Sequence, residues 1–451
     1  MNTARFQAGL GEWGGIGPLL YEPSAPVRRA CPRTRHKESC VPTALPAPSP
    51  FAIHWAHDPG VCYLNHGSFG ACPRAVLDAQ QRLRQRMEGE GVRFFVEELS
   101  PLMDRMRHAL GGFVRCPAKD LAPMPNASIA VATVLAGMDL QAGDEILAGS
   151  HEYPACMNSL RRLARRTGAR IVLVDLPFPC SSPDAVAEAF LNATTERTRL
   201  ALISHVTSSS GMILPVERLV PALEQRGVRC LVDGAHAPGM LPWLDVGALG
   251  ASYYTANCHK WICSPKGSAF LYVRPDLQSQ VRPLALSNNA EKPRPGRDQF
   301  LTEFEYVGTQ DYTGLLAIAD AITFMGSLLP GGWSEVMARN HALCAGARAR
   351  ICHALGVEPP CPESMVGSIA TIVLPAHEPE RHARLMARPT RYHDALQDAL
   401  VTRWRIQVPV WGVPGSERRF LRISAQLYNS PAQYDYLARA LAHELAAEAR
   451  L

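Results

Sequence analysis

At 451 residues, 47% of them hydrophobic and 19% charged, the chain has the composition of a globular protein and length for two domains with a substantial core. A formal charge of +5 is small for that length and gives no support for nucleic-acid binding, which shows as a clustered basic face. No apolar run approaches the length needed to cross a bilayer, so no membrane partner is expected.

Residues 1–50 stand apart from the rest. They lack an apolar leader core, carry a basic patch (Arg28, Arg29, Arg33, Arg35, Lys37) and end in a Pro-rich stretch from Val41 to Pro50. Such a segment cannot bury enough apolar surface to fold alone, and a loosely ordered tail is expected. From Val61 the pattern becomes dense. Val61–Leu64 reads as extended and leads into the Gly-rich turn His66-Gly67-Ser68-Phe69-Gly70. Apolar residues at three- and four-residue intervals then predict helices near Pro73–Met87 and Pro101–Phe113.

Short apolar runs follow at Glu145–Leu147, Ile171–Val174, Leu200–Ile203, Cys230–Val232 and Ala269–Val273, alternating with helical stretches. Runs apolar on both faces suit a mainly parallel sheet covered by helices, an α/β domain over residues 51–312. Residues 313–451 read as a helical linker and a smaller α+β domain from Trp333 to Leu451, with strands near Ile369–Leu374 and Ile406–Val410. The 13 cysteines are an odd number and are scattered without metal-ligand spacing. Reduced thiols of a cytoplasmic protein, with no metal centre, are expected.

Three segments point to chemistry. In Cys230-Leu-Val-Asp233-Gly-Ala-His236, a carboxylate at a strand end is partly buried and needs a cationic or hydrogen-bonded partner. A protonated pyridine nitrogen would serve; taken alone, such an Asp is more often a cap or a metal ligand. In Tyr254-Thr-Ala-Asn257-Cys-His259-Lys260-Trp261, a lysine framed by small and aromatic residues could lose its proton and capture an aldehyde. Alone, a His-Lys pair is more often on the surface. The turn Ser264-Pro-Lys266-Gly267 delivers the next apolar run, which turns Lys260 inward. One strand–helix–strand step is expected between Asp233 and Lys260, setting both along one sheet edge. Asn126-Ala127-Ser128 precedes the helical stretch Ile129–Met138, whose free N–H groups suit a phosphate; an ordinary cap is the equal alternative.

With these blocks on the page, the sequence resembles the class V aminotransferase-fold enzymes, most nearly the isopenicillin N epimerase-like branch that also includes hercynylcysteine sulfoxide lyases. The resemblance spans Tyr63 to Ala440. It rests on Tyr63–Gly70, Arg93-Phe94-Phe95, Ser204-His-Val-Thr-Ser208, Asp233–Gly239, His259-Lys260-Trp261 with Pro265-Lys-Gly267, Gly308-Thr309-Gln-Asp311 and Arg422–Asn429, in that order.

The resemblance implies a type I pyridoxal-phosphate transferase fold and a pyridoxal 5'-phosphate cofactor held as a Schiff base by Lys260, which would also move the α-proton. Asp233 would pair with the ring nitrogen and His236 would face the ring hydroxyl. Asn126, Ala127, Ser128, Asn257 and His259 would surround the phosphate, and Thr309 would reach the phosphate of a neighbouring subunit in a homodimer. An aromatic ring stacked on the cofactor is expected from Tyr153 or His151, with Tyr153 favoured. Ser208 would stand near the ring oxygen. Arg422, at the start of a strand-like segment, offers a guanidinium fork to a substrate carboxylate. Asn65 and His66 would contact substrate, and Arg93-Phe94-Phe95 with the His66–Gly70 turn are possible pocket walls.

The substrate is then an amino acid or a derivative of one. A desulfurase needs a late mobile cysteine, yet the last one is Cys361, well before Arg422. Epimerisation ranks first and requires a second acid/base opposite Lys260, with His66, Tyr153 and Tyr254 as candidates. C–S lysis ranks second and transamination third. A fold relative without catalysis is the alternative from another class.

Overall fold

The computed structural model describes residues 44–450 except 393 and 413–417. The basic patch from Arg28 to Lys37 lies outside the described residues. Ser49, near the end of the Pro-rich stretch, is buried, and its N–H donates to the Tyr428 carbonyl at 3.0 Å. The Ser430 hydroxyl donates to the Ala47 carbonyl at 2.6 Å, so the residues just before 50 are tied to the body.

Strands apolar on both faces assemble into one large sheet. They are β1 (Leu121–Met124), β2 (Glu145–Gly149), β3 (Arg170–Val174), β4 (Thr198–Ser204), β5 (Arg229–Asp233), β6 (Tyr253–Asn257) and β7 (Ala269–Val273), ordered β1-β7-β6-β5-β4-β2-β3. Strand β7 is antiparallel to β1 and β6, and the other pairs are parallel. Helices α1 (Arg74–Gly89), α2 (Leu99–Val114), α3 (Ala127–Ala136), α4 (Pro154–Thr167), α5 (Pro183–Asn192) and α6 (Val216–Glu224) accompany it. Val131 and Leu135 of α3 and Leu160 and Leu163 of α4 share one buried cluster with Ile146, Leu202, Leu231 and Leu271 of the sheet. Truncating a leucine at such a position to alanine costs about 2–5 kcal/mol.

Two strands escaped the sequence pattern. β1 is an edge strand interrupted by Pro123, which an edge tolerates because no ladder N–H is lost there. β6 carries Tyr253, Tyr254 and Thr255, good strand formers whose polar atoms hid the run. The expected helix between Asp233 and Lys260 is absent: 234–252 is a series of turns. Pro238 and Pro242 withhold helical donors there, and a Cβ at Gly239 would lie 2.6 Å from the Trp261 carbonyl.

The C-terminal part sets α7 (Gly332–Leu355) and α8 (Pro431–Glu448) with an antiparallel sheet of β8 (Ile369–Val373), β9 (Val410–Gly412) and β10 (Arg419–Ser424), ordered β9-β10-β8. The single strand expected over Ile406–Val410 is two. Ile406–Gln407 pairs in parallel with Cys62–Tyr63, and after Pro409 the chain turns into β9. Arg422 lies inside β10 rather than at its start. Among the described residues, no single helix is long and apolar enough to cross a membrane.

Candidate active site

Because β2, β4, β5 and β6 run parallel, their carboxyl ends meet at one edge, where ligands gather in sheets of this kind. Asp233, Ser204 and Asn257 are the last residues of β5, β4 and β6. They line a cavity of about 600 Å³, within the range that holds a cofactor with a small substrate.

Lys260 stands in the floor of this cavity. Its Nζ is 3.0 Å from His236 Nε2, and the indole N–H of Trp261 donates to His236 Nδ1 at 3.3 Å. Burial holds His236 well below its usual range, so the ring is neutral and carries one proton. Since Nδ1 accepts, that proton sits on Nε2, which can only donate. Once Lys260 has lost its ammonium proton, it meets that N–H with a lone pair, as a free amine. Burial pushes the Lys260 ammonium down to about 8, against the pull of Asp233.

Asp233 Oδ1 accepts the Ala235 N–H at 3.0 Å, and Oδ2 accepts the Cys156 thiol at 3.4 Å. Burial raises the carboxyl, while Ala235, the Lys260 charge and the thiol pull it back.

At the opposite end of the floor, Asn126 caps α3 by accepting the Ile129 N–H, and Asn257 Oδ1 accepts the Ala127 N–H, both at 2.9 Å. The sequence expectation of free N–H groups is therefore corrected at these two positions. Asn126, Ala127, Ser128, Asn257 and His259 all line the cavity. His259 Nδ1 is 3.0 Å from the Ser268 carbonyl and must donate to it, and burial lowers the ring to about 4. In the neutral ring this leaves Nε2 without a proton.

Arg422 is buried, and burial lowers it only to about 10, so it stays charged at neutral pH. It donates to the Ser208 carbonyl, to the Ser68 hydroxyl at 2.7 Å and to Asn65 Oδ1 at 3.4 Å. These are neutral acceptors, and its Nε is buried without a partner among the described residues. A guanidinium so held is short of one anion. Ser208 lines the cavity and accepts from Arg422, and Asn65 holds the arginine from outside the cavity lining.

The aromatic candidates separate cleanly. Tyr153 lines the cavity and is 43% exposed. His151 is turned aside, its Nδ1 2.9 Å from the Ser210 hydroxyl and its ring edge-on to Phe178.

His66 and Tyr254 do not reach the cavity. His66 Nδ1 is 2.8 Å from the Tyr428 hydroxyl and Nε2 is 3.0 Å from the Lys260 carbonyl, while the Tyr254 hydroxyl meets His205 Nδ1 at 3.0 Å. Burial lowers His66 to about 3, so it is a neutral brace for the backbone of Lys260 rather than a substrate contact. Gly70 completes that brace at φ 67°, where a Cβ would lie 1.8 Å from the His259 carbonyl. Arg93-Phe94-Phe95 does not line this cavity either: Phe94 is core, and Arg93 pairs with Glu90 and Glu98. Thr309 is exposed, 3.0 Å from the Tyr306 hydroxyl, and is not brought to its own chain's cavity.

Ser68 and Phe69 of the His66–Gly70 turn do line the cavity, whereas Glu152, Cys156, Ser204, Trp261 and Ile129 were not singled out from sequence. Trp261 was quoted only as a neighbour of Lys260, and a tryptophan beside a buried lysine signals an N–H in search of an acceptor.

The aminotransferase class-V sequence profile matches residues 62–437, most of the chain. The chain belongs to the class-V aminotransferase family. Its enzymes depend on pyridoxal phosphate, and the residues fit that group: a buried, readily deprotonated amine at Lys260 for the aldehyde, a carboxyl group at Asp233 for the ring nitrogen, and a helix start at Asn126–Ser128 for the phosphate.

An isopenicillin N epimerase from Amycolatopsis lactamdurans is 35% identical over 398 residues, 85% of this chain and 95% of its own. A putative L-cysteine desulfhydrase from Oryza sativa subsp. japonica is 32% identical over 336 residues, 71% of this chain and 68% of its own. Among solved structures, the cystine C–S lyase C-DES in complex with cysteine persulfide is similar with a TM-score of 0.69 at 21% identity, over 85% of this chain and 97% of its own. That likeness is one of fold, the type I fold of pyridoxal-phosphate enzymes.

Proposed function

We propose that this chain acts at the α-carbon of an amino acid or amino-acid derivative as an epimerase or racemase. The observation that carries the reading is the pairing, in one cavity, of Lys260, whose ammonium burial weakens, with a buried Arg422 that has no anionic partner among the described residues. Pyridoxal phosphate, when bound, supplies an aldehyde for attachment and an electron sink for the substrate's α-carbon.

The chain's own residues do the rest. Arg422 holds the substrate carboxylate, and Ser208, Ser68 and Asn65 keep its fork in place. Asp233 keeps the ring nitrogen protonated. Lys260 Nζ removes the α-proton, and His236 fixes that nitrogen by hydrogen bond. Tyr153, entering the cavity from the start of α4, would lie against the cofactor and supply the second proton donor. Of the three acid/base candidates, it alone lines the cavity among the described residues. Ser128 takes the phosphate, and His259 contacts it from the cavity wall. Thr309 reaches the neighbouring site of a homodimer, and the free thiols fit a cytoplasmic enzyme.

Similarity to an isopenicillin N epimerase supports this order, and similarity to a cysteine desulfhydrase supports β-elimination of a C–S bond as the second reading. Incubation with candidate amino acids in heavy water separates them. Solvent deuterium at Cα with inverted configuration supports epimerisation, and its loss in Tyr153→Phe supports the second proton donor. Pyruvate and ammonia from a cysteine-type substrate, without inversion, overturn it in favour of the lyase.

A further inference from the structure

The carboxylate at the end of β5 has a fixed orientation, and the structure shows what fixes it. Oδ1 takes the Ala235 N–H at 3.0 Å, two residues along the same chain. Oδ2 takes the thiol of Cys156 at 3.4 Å, from the first turn of α4. Cys156 is 1% exposed, so no water competes for this bond.

The other groups nearby are already committed. Glu152, buried in the turn before α4, accepts the Ser204 N–H at 2.9 Å and lies 2.6 Å from the Ser204 hydroxyl. Burial raises it to about 8, so it is mainly neutral at pH 7 and adds little negative charge beside Asp233. The Tyr254 hydroxyl is engaged by His205, Lys260 faces His236, and Arg422 faces Ser208 and Ser68. Burial and the Asp233 charge both push the Cys156 thiol up, so it stays protonated and able to donate.

We propose that Cys156 is a positioning residue, whose thiol hydrogen bond holds Asp233 in the orientation that meets the cofactor's ring nitrogen and moderates the charge it presents. The inference rests on the reading of Asp233 as the ring-nitrogen partner. Without the donor, Oδ2 loses its restraint and carries more unshared charge. A looser carboxylate binds the ring less well. A stronger negative potential also holds a proton more tightly on the Lys260 nitrogen of the loaded protein.

The test uses purified wild type, Cys156→Ala, Cys156→Val and Cys156→Ser, with Cys344→Ala as a control at another buried thiol. Two quantities are read: the pH midpoint of the bound cofactor's absorption, and the affinity of apo-protein for pyridoxal phosphate by fluorescence titration. Removing one hydrogen bond in the Ala and Val proteins is expected to raise the midpoint by roughly 0.3–0.5 pH unit and weaken binding about 3- to 10-fold. Ser, which keeps a donor, returns both toward wild type, and Cys344→Ala moves neither. Val fills the space that Ala empties, so a folding failure of one still leaves the other to be read. Ala and Val proteins matching wild type in both quantities overturn the proposal. Equal shifts in Ala, Val and Ser overturn it as well, since packing would then explain them. A wild type that takes up no cofactor overturns the cofactor reading itself, and the proposal with it.

Discussion

Lys260 Nζ lies 3.0 Å from His236 Nε2, and the only proton that can lie between them is the imidazole's, because Trp261 donates to the other ring nitrogen. In the molecules whose lysine is deprotonated, the contact is thus a hydrogen bond from a neutral histidine to a neutral amine. A lysine at about 8 has roughly a tenth of its molecules neutral at pH 7, against about 0.03% for an ordinary lysine, a gain of roughly 300-fold in nucleophile.

Capture of the cofactor should follow that titration. The free amine attacks, so the rate of reconstituting apo-protein with pyridoxal phosphate should rise with pH and level off above about 8. Stopped-flow absorbance across pH 6–10 measures it. A rate still climbing steeply at pH 10 would mean that Lys260 keeps an ordinary pKa.

Trp261→Phe removes the indole N–H and keeps the ring. The imidazole of His236 is then free to place its proton on either nitrogen, and an Nε2 lone pair would favour the ammonium form of Lys260. The plateau in the reconstitution profile should move to higher pH. An unchanged profile would contradict the tautomer assigned here.

Arg422→Ala should raise KM and lower kcat/KM for an amino-acid substrate by about 100- to 1000-fold, with Arg422→Lys intermediate because it keeps charge but not the fork. Cofactor affinity should change little. Steady-state kinetics beside a cofactor titration checks both, and a main loss in cofactor binding would assign the arginine elsewhere.

Much of this arrangement was legible in the sequence. The strand-end Asp233, the inward Lys260 and the α3 start at Asn126 follow from apolar runs ending in polar residues, and they do meet at one sheet edge. What was illegible depends on contacts between distant segments. His66 looked available for substrate because nothing in its own neighbourhood names Tyr428 or the Lys260 carbonyl as its partners. Cys156 looked like any buried thiol until α4 set it against Asp233. The turns of 234–252 read as a helix because spacing alone counts residues, while Pro238 and Pro242 decide the backbone.

Gly70→Ala tests the brace under Lys260. A Cβ there would lie 1.8 Å from the His259 carbonyl on a residue at φ 67°, and backbone cannot yield cheaply. A loss of about 3 kcal/mol or more is expected in denaturant unfolding, with cofactor uptake impaired. Wild-type stability and uptake would show that the turn at 66–70 does not hold the lysine.

The most direct test of the central claim is to load the protein with pyridoxal phosphate, reduce it with borohydride, and map the modified peptide by mass spectrometry. The cofactor's mass should be fixed on Lys260, and Lys260→Ala should carry none. A label on another lysine, or undiminished labelling of Lys260→Ala, would contradict the account.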